Sequence, residues 1–214
     1  MIFFKLLDHE LDLKHGGLIY LFVFFSTILF IFSTIYHTFN CISNDVCSCC
    51  YKLDLMGIMF ELIATTIASI FYMFHEYENI QRIYIYIFLI IGALTITMSL
   101  FDYFISAKLN LFLMLLYAFL FLLSFMSCVH WSMIANINEV QIISKYVLSG
   151  YLSLFIGFIF FFAKFPECYM RNKTVDYFFQ SHTLWHISTT MSIIFYYLML
   201  SNYYTLLYGK HLIK

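Results

Sequence analysis

Long stretches without a charged residue dominate the pattern along this chain. No Lys, Arg, Asp or Glu stands between Lys14 and Asp45, between Lys108 and Glu139, or between Asp176 and Lys210, and Lys145 to Lys164 is equally clean. Two further apolar segments carry one acid each: Glu61 between Asp54 and Glu76, and Asp102 between Arg82 and Lys108. The hydrocarbon core of a bilayer is about 30 Å thick and an α-helix rises about 1.5 Å per residue, so a spanning helix takes about 20 mostly apolar residues. The runs therefore predict six transmembrane helices, near 16–39, 55–75, 83–105, 109–133, 145–165 and 181–201. Barrel strands would alternate apolar and polar positions over segments of about 10 residues, and these runs do not. The expected fold class is all-α, a polytopic membrane helix bundle over 16–205 between a short N-terminal segment (1–15) and a short tail (206–214).

Composition agrees with the pattern. The chain is 63% hydrophobic and 11% charged, where soluble domains carry about 25% charged residues. The first apolar run is too long for a signal-peptide core and no small-residue cleavage site follows it, so it reads as a membrane anchor. One Pro and seven Gly leave no flexible linker, and no internal repeat of fixed period is present. A net charge of −1 argues against nucleic acid as a partner, which wants a basic face. The 27 Phe and 18 Tyr read as compositional bias without assigned function.

Counting helices sorts the histidines. Helices one, three and five end on the face opposite the N-terminus, and helices two, four and six begin there. His37, Asp54, His182 and His186 all fall at that face, whereas His9, His15, His75, His130 and His211 fall at the other, about a bilayer thickness away. Basic residues do not orient the bundle: five lie on the first face and six on the second.

His182 and His186 are four apart, so on a helix they share one face and can reach one metal ion. His37 would supply a third nitrogen, leaving a fourth tetrahedral position for water, the pattern of a catalytic zinc site. Zinc lowers the pKa of such a water from about 15.7 towards about 7. Asp54 is placed to take the water's proton and pass it to a leaving amine. Ser33, one turn before His37, can hydrogen-bond a water or a substrate carbonyl. The alternative is that these histidines sit at headgroup level or bond a neighbouring helix, with no metal involved.

Three separated motifs carry a resemblance. S-T-I-Y-H at 33–37, L-D-L-M-G-I at 53–58 and F-F-Q-S-H-T-L-W-H at 178–186 resemble the signature motifs of the progestin and adipoQ receptor family, which includes the adiponectin receptors and is related to bacterial haemolysin III. K-F-P-E-C at 164–168 resembles the family too. The resemblance runs over nearly the whole chain. It implies a seven-helix membrane protein with zinc held by His37, His182 and His186 near the cytoplasmic leaflet, and with Asp54 and Ser33 around the zinc-bound water. It also implies ceramidase-type chemistry, as associated with adiponectin-receptor members. The chain departs from the pattern in three ways: the family's first helix is not seen, Leu55 follows the Asp where Tyr or His is usual, and Glu61 takes an apolar position. Glu61 lies about 10 Å deeper than Asp54 on the same helix face, either lining a cavity or proton path or packed and protonated.

Other residues are given plainer readings. Cys47, Cys49 and Cys50, with Cys41 nearby, lack the paired C-x-x-C spacing of a thiolate zinc site and read as a plain loop, whose juxtamembrane thiols suit palmitoylation if their face is cytosolic. Cys128 and Cys168 read as small apolar fillers, and Trp185 as an interfacial anchor. Asp102 either joins the site or snorkels to the headgroups, and the Asn172 sequon is unused if its face is cytoplasmic. The expectation is therefore an integral multipass membrane protein that hydrolyses a lipid amide such as ceramide with Zn2+, its partners being the bilayer and its lipid. The alternatives are a signalling receptor with structural zinc, whose protein ligand is unknown, and a haemolysin-like permeabilising protein.

Overall fold

The structure, a computed structural model, describes residues 13–105, 110–170 and 179–208. Every regular element among them is an α-helix: α1 (Leu13–Phe39), α2 (Asn44–Met73), α3 (Glu78–Ser99), the single turn α4 (Asp102–Ile105), α5 (Asn110–Ile134), α6 (Ile137–Ala163) and α7 (Ser181–Tyr208). Each of the six predicted runs falls on a helix, but the third is broken at 100–101, between α3 and α4. Five of them, α1, α2, α3, α5 and α6, are long and apolar enough to cross a membrane. The expected sixth span at 181–201 falls short on apolarity, not length. α7 has 28 residues and no charge, but its histidines and its many Ser, Thr and Asn side chains dilute the hydrocarbon.

Two helices start well before their apolar runs. α2 begins at Asn44 because the Ser43 hydroxyl accepts from the Val46 N–H at 3.2 Å and Asp45 sits in the positive first turn. The C-S-C-C segment is thus the first turns of a helix, correcting the loop reading, and none of its thiols is in a disulfide. Asp54 accordingly lies about three turns inside α2 and not at its start. α6 likewise begins at Ile137, where the Asn136 side chain accepts from the Asn138 N–H at 3.0 Å.

The described residues form two compact units, 13–133 and 134–208. In the first, α2 is central. α1 buries one narrow seam, Ile19, Phe22, Ser26, Leu29 and Ser33, spaced alternately three and four apart as in a coiled-coil contact. Its antiparallel partner is α2. A Cβ added at Gly57 would lie 3.2 Å from the Leu29 Cα, so the two backbones touch there. Phe25 against Phe60 (5.4 Å between rings) and Tyr36 against Tyr51 (5.6 Å) continue the same register on either side. α3 packs Gly92 against Ile63, and α5 joins through the Thr66 and Ser124 hydroxyls, 2.9 Å apart.

In the second unit α6 and α7 run antiparallel. Gly150 seats the Tyr196 ring, and Gly157 lies against Ser188 and Trp185. Near the other end the Tyr203 hydroxyl donates to Glu139 at 2.5 Å, so a buried phenol fastens the pair.

Replacing Gly57 by Val forces the α1 backbone away and should cost about 1–3 kcal/mol, as overpacking generally does. The thermal midpoint in detergent should drop, while Gly17→Ala, where nothing stands within 4 Å, should leave it unchanged.

Candidate functional site

The α1–α2 register brings Ser33 level with Asp54, and Ser26 level with Glu61 two turns deeper. The two levels differ sharply. At the inner one, Glu61 is 8% exposed and accepts from the Ser26 hydroxyl at 2.9 Å and the Thr65 hydroxyl at 3.0 Å. Gly57, pressed on Leu29, stands between the two acids, so the packed alternative for Glu61 is the one found.

At the outer level, Ser33 is 5% exposed and its hydroxyl makes no hydrogen bond. Its neighbours on α1 behave otherwise: Thr27 and Thr34 each donate to the carbonyl four residues back, at 2.8 and 2.7 Å, and the Ser26 hydroxyl is engaged by Glu61. A buried polar atom without a partner is uncommon and suits a group that receives water or substrate. Asp54, half-buried, lies close enough to Tyr36, Tyr51 and Tyr117 for its charge to act on their phenols. The Tyr117 hydroxyl donates to the Leu55 carbonyl at 3.0 Å and is 3.1 Å from Ser99, which ties α5 and α3 to the Asp54 turn. These phenols escaped sequence reading because tyrosine is so frequent along the chain. His37 sits one turn beyond Ser33, exposed in the last turn of α1, with its ring 5.0 Å from that of Tyr36.

Asp102 belongs to the same end of this unit. It is exposed and takes hydrogen bonds from the Lys52 ammonium and the Ser48 hydroxyl, both at 2.8 Å, which hold its pKa below the usual aspartate value. It fastens the α3–α4 turn to the first turns of α2. At the opposite end, His75 and His130 are engaged locally: the His75 Nδ1 is 3.0 Å from the Tyr72 carbonyl, and the His130 Nδ1 is 3.0 Å from the Tyr84 hydroxyl.

The second unit carries the histidine pair. His182 and His186 occupy the first two turns of α7, and their Nε2 atoms stand 3.1 Å apart. Two nitrogens bound at about 2.0–2.1 Å to one tetrahedral zinc are separated by about 3.3 Å, so the pair is set at chelating distance. The rings are nearly perpendicular, at 81°, and His182 leans on Phe161 of α6. Trp185 packs on Phe158, 4.7 Å between rings, over the space left by Gly157, so its place is an interhelical contact. Ahead of α7, Glu167 accepts from the Ser181 N–H at 2.8 Å and from the Ser181 hydroxyl. Desolvation raises the pKa of this carboxyl, but the Ser181 hydrogen bonds and the Lys164 charge outweigh it and leave it below the usual glutamate value. Cys168 is exposed on the turn after α6, not an apolar filler, because that turn projects it outward. Cys128 is buried as expected, and Asn172 lies outside the described residues.

Long apolar helices that pack through small residues such as Gly57, Gly92 and Gly157 define an integral multipass membrane protein. The chain belongs to the haemolysin-III related family, whose model matches residues 1–197, and this family includes the adiponectin receptors. No curated protein matches the chain.

Ser33 and Ser26 should respond differently to removal of the hydroxyl. Ser33→Ala breaks no hydrogen bond and should leave the thermal midpoint unchanged or raise it. Ser26→Ala strips a partner from buried Glu61 and should cost about 1–3 kcal/mol. Equal destabilisation by both would contradict the assignment of Ser33 as the spare hydroxyl.

Proposed function

We propose that this protein is a zinc-dependent hydrolase of a membrane lipid amide of the ceramide kind, with His37, His182 and His186 as the metal ligands. The observation that carries the reading is the 3.1 Å separation of the His182 and His186 Nε2 atoms in a haemolysin-III related chain. Helix counting supports His37 as the third ligand. Four candidate spans, α2, α3, α5 and α6, stand between the end of α1 and the start of α7, and an even number of crossings is what the sequence-derived sidedness of His37, His182 and His186 requires. Three neutral imidazoles suit zinc and leave an open position.

When bound, zinc supplies Lewis acidity that lowers the pKa of water and polarises the scissile carbonyl. The chain does the rest. Asp54 accepts the proton that the attacking water loses as the carbon–oxygen bond forms, then returns it to the amine nitrogen as the carbon–nitrogen bond breaks. A carboxylic acid and an amine leave. Ser33, level with Asp54 and lacking a partner of its own, donates to the substrate carbonyl. The phenols of Tyr36, Tyr51 and Tyr117 lie within electrostatic reach of Asp54 and give it polar neighbours among apolar helices. Acyl chains reach this level sideways from the bilayer.

The family's haemolysin relationship keeps one other reading in view, a membrane-permeabilising protein. Purified protein in ceramide-containing vesicles separates the two. Fatty acid release that falls about 10²–10⁴-fold in Asp54→Asn, the usual weight of a general base, and that stops with a zinc chelator, supports the hydrolase. Vesicle leakage indifferent to Asp54→Asn, without product, overturns it.

A further inference from the structure

The histidine pair sits where a helix is least secure. The first N–H groups of any helix lack intrahelical partners, and terminal turns fray. α7 has Gln180 ahead of its first turn, whose carbonyl accepts from the Leu184 N–H at 3.0 Å, and Gln is not among the side chains that cap helices well. His182 lies in that first turn and His186 in the next. Fraying would swing His182 away and leave His186 in place, opening the 3.1 Å spacing between their nitrogens.

What holds the turn comes from 14 residues earlier. Glu167 takes both the N–H and the hydroxyl of Ser181, the residue directly before His182. Glu167 is itself held. Lys164 ends α6 in the left-handed conformation (φ 47°), with its N–H turned back to the last turn of that helix. The Cys168 N–H then returns to the Lys164 carbonyl at 2.9 Å, and the Tyr169 and Met170 N–H groups both reach the Pro166 carbonyl at 2.9 Å. The carboxylate therefore stands on a tight turn fixed to the end of α6, and its negative charge meets the positive end of α7.

The geometry points to Glu167 as a positioning residue for the metal-binding pair: acting through Ser181, it holds the first turn of α7 so that His182 and His186 stay at chelating distance. This inference rests on the proposed zinc site. It adds a residue that touches neither metal nor substrate.

The test compares wild type with Glu167→Ala, Glu167→Gln and Ser181→Ala in detergent, by two readouts. Zinc affinity is measured by competition with a chromophoric chelator, and the Co2+-loaded absorption spectrum reports the number of imidazoles bound. Amide hydrogen exchange over 181–186 is followed without metal. Glu167→Ala should weaken zinc by about 10–100-fold, as loss of groups that orient metal ligands does, and should speed exchange in that segment. Glu167→Gln keeps a carbonyl for the Ser181 N–H and should recover part of the affinity. Ser181→Ala, which loses only the hydroxyl donor, should fall between wild type and Glu167→Ala. Faster exchange with unchanged zinc affinity and Co2+ spectrum overturns the positioning role and leaves only a helix cap. Unchanged exchange in both milder variants, should Glu167→Ala not fold, overturns it as well. Wild type that binds no zinc fails at the earlier step: it removes the hydrolase reading, and this inference with it.

Discussion

The contact of Gly57 with the backbone of Leu29 is the constraint on which the first half of the molecule depends. Two helices can approach this closely only where one has no side chain, and that fixes their register. With the register set, everything else along the seam follows. Ser26 meets Glu61, Ser33 meets the level of Asp54, and the phenols of Tyr36 and Tyr51 come together at the outer end. One turn of slippage would take Ser26 away from Glu61, leaving the buried acid with only Thr65 of its own helix in a region where water cannot replace the lost partner.

The two acids of α2 are a single helical stripe put to opposite uses. Glu61 is closed in by packing and satisfied by Ser26 and Thr65, so it is part of the bundle's structure. Asp54 stands near the end, half-buried among phenols, opposite a serine whose hydroxyl has no partner. Ser33 shares that lack of a partner with one other buried hydroxyl among the described residues, Ser192 of α7. On α7 the same division appears along one helix: Tyr203 is locked against α6, while the first two turns present the imidazoles of His182 and His186, their Nε2 atoms 3.1 Å apart.

Much of this was legible in the sequence, for physical reasons that also set the limits. Charge is so costly in hydrocarbon that its scarcity marks every long helix. The four-residue spacing of His182 and His186 carried the pair, and the motifs around His37, Asp54 and His186 carried the family. The helix starts at Asn44 and Ile137 leave no mark in the charge pattern, because capping by Ser43 and Asn136 extends the helices into segments that still carry charge. α7 looked like a span because it lacks charge, although its hydroxyls and imidazoles keep it from being fully apolar. The contact seams were invisible, since lipid-facing positions are as apolar as buried ones. Glu167 could not be found by spacing at all, because it acts across 14 residues of chain.

Zinc content tests the account most directly. Detergent-purified wild type should hold close to one zinc per chain, with X-ray absorption showing imidazole ligands. The metal should be lost in the His182→Ala/His186→Ala double variant and weakened in His37→Ala, each still helical. A well-folded wild type without zinc, or one whose zinc survives loss of the histidine pair, would contradict the central claim and leave a haemolysin-III related bundle whose histidines serve packing alone.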